Sequence, residues 1–148
     1  MSLVEQINAD LKTAMKARDK VRTAAIRNIK KVIIEAQTAS ADAQLEDTDV
    51  IKIVQKLAKQ GSDSATLYKE QGRDDLYTDE MEQVAVFEDY LPKKMSDEEL
   101  AKAVKAIIEK VGAASMADMG KVMGMASKEL AGKADGKDIA DKVKALLS

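Results

Sequence analysis

Glycine and lysine stand side by side three times near the C-terminus, once in Met119-Gly120-Lys121-Val122-Met123 and twice in Gly132-Lys133-Ala134-Asp135-Gly136-Lys137. The chemistry open to this pattern is anion binding: free backbone N–H groups at a helix N-terminus, with ammonium groups beside them, can hold a phosphate. The candidate binding set is therefore Gly120, Lys121, Lys133, Asp135, Gly136 and Lys137. The same residues also suit plain packing, with Gly120 allowing a close helix crossing, Gly132 ending a helix and Asp135 starting the next. A secondary basic stripe comes from Lys20, Arg27 and Lys31, which fall on one side of a helix at 3.6 residues per turn. It suits phosphates, although without interleaved aromatics it is a weak nucleic-acid signal.

Catalytic chemistry is far less well supplied. The chain has no His and no Cys. Thiolate nucleophiles, disulfides and zinc sites of thiolate or imidazole are thereby excluded, as is the commonest acid–base group near neutral pH. Adjacent carboxylates such as Asp74-Asp75 and Glu98-Glu99 point about 100° apart on a helix and cannot share a proton; near helix starts they favour the macrodipole. The acidic stretch Asp42 to Asp49 lacks the Gly and closing Glu of a calcium loop, and no phosphate-cradling glycine loop is present. No catalytic residue, metal site or cofactor is expected, and the chain is not expected to be an enzyme by itself.

The elements that must position the candidates are all helical. Hydrophobic residues make up 45% and aromatics only 3%, so the core must be Leu, Ile, Val, Met and Ala, which packs readily as helix on helix. Leu3, Val4, Ile7, Leu11 and Met15 define a first amphipathic helix. Asp19 caps a second, with Val21, Ala25, Ile29, Val32, Ile33 and Ala36 inward. Ser40 to Asp49 is a polar loop, and Asp47 or Thr48 starts a third helix through Val50, Val54, Leu57 and Ala58 to Tyr68. Gly61 lies inside it at a propensity cost of about 1 kcal/mol, and Gly72 caps its end. A fourth helix carries Leu76, Val84, Phe87 and Leu91, and must end before Pro92. Ser96 and Glu99 then form a capping box. Three short helices follow, Leu100 to Val111, Met116 to Leu130 and Ile139 to Leu147, with Ser115 and Asp135 as caps and Gly112, Gly132 and Gly136 at turns. Met116, Met119, Met123 and Met125 belong to the core or to an adaptable groove. The expected organisation is a helical N-terminal domain, 1–92, of about four helices and a three-helix tail domain, 96–148.

Charge is segregated although the net is only −2. Lys12, Lys16, Arg18, Lys20, Arg22, Arg27, Lys30 and Lys31 face one acid, Asp19; Glu70, Asp74, Asp75, Asp79, Glu80, Glu82, Glu88 and Asp89 face one base, Arg73. The simplest expectation is that the two segments pack as neighbours and neutralise each other; the alternative is a binding stripe. No apolar run approaches the ~20 residues of a membrane span, and the expected compartment is the cytoplasm.

Several motifs then carry a resemblance: Leu11-Lys12-Thr13-Ala14-Met15-Lys16, Ala25-Ile26-Arg27, Gly72-Arg73-Asp74-Asp75-Leu76, Glu88-Asp89-Tyr90-Leu91-Pro92, Asp118-Met119-Gly120-Lys121-Val122-Met123 and Gly132-Lys133-Ala134-Asp135-Gly136. In that order the chain resembles the GatB/YqeY family, whose C-terminal module also forms the tail of the B subunit of the glutamine-dependent aminoacyl-tRNA amidotransferase. The resemblance implies an all-helical N-terminal part and a small tail domain that helps recognise tRNA, with the amide-transfer chemistry residing elsewhere. A carbon–nitrogen ligase label would thus be inherited rather than self-contained. Two departures stand out. Lys133 replaces a frequent Arg and loses bidentate phosphate geometry, and Gly61 replaces a longer polar side chain, which questions the rigidity of the third helix. The implied function is an accessory binding protein for tRNA or a tRNA-handling enzyme; the alternative is a helical protein–protein adapter unrelated to RNA.

Overall fold

The computed structural model describes residues 1–40 and 44–148. The described residues form helices α1 (Leu3–Lys16), α2 (Lys20–Thr38), α3 (Asp47–Glu70), α4 (Asp74–Glu88), α5 (Asp97–Val111), α6 (Met119–Glu129) and α7 (Gly136–Leu147), with a short 3-10 turn at Met116–Asp118 and no strand. They fall into two compact units, Met1–Leu91 and Pro92–Ser148. The expected polar loop from Ser40 falls partly on residues 41–43, outside the described residues.

In the first unit, α1 and α2 form one antiparallel pair and α3 and α4 a longer one. Ser2 begins α1 with a capping box: its hydroxyl accepts from the Glu5 N–H at 3.2 Å, and its own N–H donates to the Glu5 carboxylate at 3.3 Å. The Leu3 N–H donates to Asp47 at 3.0 Å, fastening the start of α1 to the start of α3. Asp19 caps α2 by accepting from the Arg22 N–H at 3.0 Å. Ile7, Ala14, Ala25, Ile26, Ile29, Ile33, Val50, Val54, Ala58, Val86 and Phe87 form the core. Periodicity misplaces its edges. Met15 and Val21, expected inside, are exposed, while Ile26 is fully buried. Met15 sits in the last turn of α1.

The α3–α4 contact is the most extensive in the molecule, and Gly61 makes it possible. A Cβ at this position would lie 2.6 Å from Cγ2 of Val84, well inside van der Waals contact, and Val84 is itself fully buried. Here the absent side chain lets two helices approach closely, and α3 runs unbroken through it. Helix α3 is thus continuous at Gly61, where close packing against Val84 offsets the propensity penalty. Gly72, at φ +74°, turns the chain from α3 into α4.

Helix α4 ends at Glu88, three residues before the expected stop, so Leu91 lies past the helix; it nonetheless packs half-buried on the core. The Tyr90 hydroxyl, just beyond the end, donates to Asp10 of α1 at 2.6 Å. Arg22 of α2 pairs with Asp89 at 3.2 Å. Burial and the Asp10 carboxylate both push the Tyr90 phenol well above its ordinary value. Tyr68, Tyr77, Phe87 and Tyr90, all the aromatic residues of the chain, belong to this unit.

In the second unit, Leu100, Val104, Ile107, Val122, Ala126, Leu130, Ala134, Ile139, Val143 and Leu147 form a separate core. Ser96 caps α5 through the Glu99 N–H at 3.2 Å, but the Glu99 carboxylate meets the Ser96 hydroxyl rather than its backbone. Gly112 ends α5 at φ +70°, whereas α6 already ends at Glu129 with Leu130 as its cap, so Gly132, expected to end a helix, lies instead in the turn that follows, at φ +76°. Gly136 instead opens α7 as its first helical residue. The expected single helix from Met116 is split: Ser115 precedes the 3-10 turn, and Asp118 reaches back to accept from the Ala114 N–H at 3.0 Å. Met119, Met123 and Met125 pack partly buried against this core, and Met116 is exposed.

Two predictions follow from the packing of the first unit. Gly61→Ala should destabilise it by about 1 kcal/mol, an overpacking penalty of ~1–3 kcal/mol less a propensity gain of ~1 kcal/mol. In a urea-denaturation cycle with Val84→Ala, the double variant should be more stable than the two single effects sum to. Tyr90→Phe should cost about 1 kcal/mol. Because the folded phenol titrates above the unfolded one, its contribution is full below about pH 10 and fades as pH rises further; the variant should lose that part of the alkaline sensitivity of unfolding.

Candidate functional site

Of α2, Ala25, Ile26, Ile29 and Ile33 are buried, which turns the opposite side of the helix to solvent. Lys20, Arg27 and Lys31 all lie on that outer side and are exposed. Exposed Ile34 continues the row. Lys12 and Lys16 of α1 and Arg18 of the α1–α2 turn are exposed as well.

The expected neutralisation by the acidic segment is largely absent. Helices α2 and α4 do pack against each other, but among the described residues one ion pair, Arg22–Asp89, joins the two charged segments. The other acids of α4 that pair do so locally, Asp74 with Lys69 at 3.6 Å and Asp75 with Arg73 at 3.0 Å. The Arg73 guanidinium holds the Asp75 carboxyl below its ordinary value. The reason is geometric: α2 meets α4 through its apolar side, so the stripe opposite that side cannot reach the acids. Lys12, Lys16, Arg18, Lys20, Arg27 and Lys31 have no acidic partner among the described residues.

At the α1–α2 turn the basic face deepens into an open groove of about 420 Å³ lined by Met15, Arg18, Asp19, Lys20, Thr23, Ala24 and Arg27. Arg27 donates to the Met15 sulfur at 4.0 Å. Arg18 has φ +57°, alone in this among the described non-glycine residues; the left-handed conformation costs an L-residue roughly 1–2 kcal/mol. Neither the groove nor Arg18 emerges from helical periodicity. The sequence signal was an Arg-Asp pair in a turn where Gly or Asn would be the ordinary choice.

The tail residues are distributed rather than gathered. Gly120 lies exposed in the first turn of α6, and a Cβ there would meet nothing within 4 Å, so it serves no close helix crossing. Gly136 is equally open. Lys121 and Lys137 are exposed, and Lys133 and Asp135 are half-buried. Lys133 and Asp135 line a cavity of about 420 Å³ with Lys94, Asp97, Leu100, Asp138, Asp141 and Lys142. Lys142 pairs there with Asp97 at 2.8 Å. Gly120, Lys121, Gly136 and Lys137 do not line it. With both signs of charge on its wall, this cavity offers a phosphate no concentrated positive field.

A family model described as "Yqey-like protein" matches residues 4–147, so the chain belongs to that family. It is 28% identical over 109 residues to "Altered inheritance of mitochondria protein 41, mitochondrial" of the yeast Kluyveromyces lactis, covering 72% of this chain and 59% of the relative. The protein of the same name from Vanderwaltozyma polyspora is 28% identical over 120 residues, covering 76% of this chain and 64% of the relative. The chain thus spans less than two thirds of the length of either.

The Asp118 contact gives a direct titration. The Ala114 N–H holds the Asp118 carboxyl below its ordinary value, with a smaller lowering from Lys121. A depressed carboxyl stabilises the fold above its unfolded value and ceases to as pH falls through the folded one. The Ala114 amide proton should therefore follow Asp118 in an NMR pH titration, with a midpoint below the ordinary aspartate value, and should lose that step in Asp118→Asn.

Proposed function

We propose that this YqeY-like protein works by binding rather than by catalysis, as an accessory that holds tRNA through the outer face of α1 and α2. The observation that carries the reading is the row of exposed cations, Lys20, Arg27 and Lys31, with Lys12, Lys16 and Arg18 beside it, none matched by an acid among the described residues. Such a face meets phosphates at low specificity and with strong salt dependence. Lys121 and Lys137 of the tail are exposed and add contacts of the same kind, whereas Lys133 stands among acids and contributes less. Activity as an amidotransferase is not part of the proposal; a role beside such an enzyme is, through the tRNA both would hold.

A second reading, an adapter for an acidic protein, is favoured by one observation: Met15, Val21 and Ile34 are exposed around the same cations.

Titration of labelled tRNA at two salt concentrations tests the first. Binding should be weak, with Kd of about 10⁻⁴–10⁻⁶ M at physiological salt, and replacing Lys20, Arg27 and Lys31 by Gln should lower the slope of log K against log salt by roughly 2–3. No binding at either salt sinks the RNA reading. Capture of protein partners that survives nuclease, with no tRNA affinity, supports the second.

A further inference from the structure

We infer that the groove at the α1–α2 turn is a subsite for one nucleotide of an RNA strand, its phosphate held by Arg18, Lys20 and Arg27 and its ribose and base lying on Met15 and Ala24. The inference rests on the RNA-binding reading above and names the part of the ligand that the turn takes.

Three observations lead there. The first is charge. Three cations and one acid line the groove, and Oδ1 of that acid, Asp19, already accepts the Arg22 N–H at 3.0 Å. The Thr23 hydroxyl adds a donor on the same wall, with no hydrogen-bond partner of its own among the described residues. A carboxylate presents two oxygens and one charge; this set has more donors than that and suits a phosphate.

The second is the company the cations keep. Met15 and Ala24 form an apolar wall, and Arg27 lies against the Met15 sulfur at 4.0 Å. A polarizable thioether beside a planar guanidinium is a surface that a base can cover without sequence preference. At about 420 Å³ the groove falls within the roughly 300–1,000 Å³ of small-ligand sites, and being open it suits one unit of a longer chain.

The third is Arg18 itself. At φ +57° its backbone is in a conformation that glycine adopts freely. That conformation closes α1, with the Arg18 N–H donating to the Met15 carbonyl at 3.1 Å and the Asp19 N–H to the Ala14 carbonyl at 3.0 Å, and the Arg18 side chain lines the groove. It also makes Arg18→Gly an unusually clean variant, since the conformation of the turn survives the change.

The test uses the full chain with methyl-labelled methionine and labelled arginine side chains, titrated by NMR with a single-stranded RNA tetranucleotide, with inorganic phosphate and with an acidic helical peptide. The tetranucleotide should move the Met15 methyl and the Arg18 and Arg27 signals. Arg18→Gly should weaken its binding about 10-fold or more, and Arg18→Lys, which keeps the charge but not the fork, should fall between. Inorganic phosphate should move Arg18 more weakly and leave Met15 in place; phosphate equal to the tetranucleotide in affinity would overturn the base and ribose contact. Wild-type binding of RNA with Arg18→Gly unimpaired, or with Met15 unmoved, overturns the subsite and leaves the RNA reading standing. Failure of the wild type to bind tRNA removes the reading beneath it. A response to the peptide and not to RNA makes the groove a protein site and overturns the inference.

Discussion

Much of the first unit is set by how closely α3 can lie against α4. A core almost without aromatic rings is filled by Ile, Val, Leu and Ala, which pack densely only when helices come near one another. At Gly61 the approach is so close that the space of a missing methyl is taken by Val84. The α3–α4 pair thus provides a wall, with Val50, Val54, Ala58, Val86 and Phe87 toward the α1–α2 pair. Against that wall α2 can bury one side only, through Ala25, Ile26, Ile29 and Ile33. The exposure of Lys20, Arg27 and Lys31 is the other half of the same constraint.

Segregated charge in a sequence with little net charge suggests internal compensation, and the structure shows why compensation fails. Opposite charges neutralise each other only if the sides that carry them meet, and here the sides that meet are apolar. The acids of α4 instead settle into short-range pairs with Lys69 and Arg73 or remain in water. Ion pairs as exposed as these contribute little to stability. The two fields persist on the surface, where they influence what approaches the protein more than how firmly it folds.

The all-helical class was legible because period 3.6 recurs through almost every segment, and two side-chain caps, Asp19 and Ser96, were legible as helix starts, whereas the Ser2 cap of α1 was not. What periodicity could not resolve was contact between helices distant in sequence. Gly61 and Gly120 look alike in sequence, each a glycine within a helix. One is buried against Val84 and the other stands in open solvent, and only the neighbouring helix distinguishes them. Just past the stop of α4, Tyr90 finds Asp10 eighty positions away, whereas the split before α6 goes with a local contact, Asp118 reaching back four positions to Ala114. Among candidate site residues, the α2 stripe followed from helical geometry. The Arg18 groove needed a turn conformation that residue types do not encode, and the tail residues that look contiguous in sequence are spread over different surroundings in space.

The placement of the aromatic side chains has a practical consequence. All of them precede Pro92, so the second unit carries no chromophore of its own beyond the peptide bond. Near-ultraviolet absorbance, tyrosine emission and near-ultraviolet circular dichroism therefore watch the first unit directly and are blind to the intrinsic state of the second. The C-terminal half could melt, bind or be cleaved away with those spectra scarcely altered. An optical melting curve read at the tyrosine bands thus describes one unit, and a single smooth transition there says nothing about whether the two units unfold together.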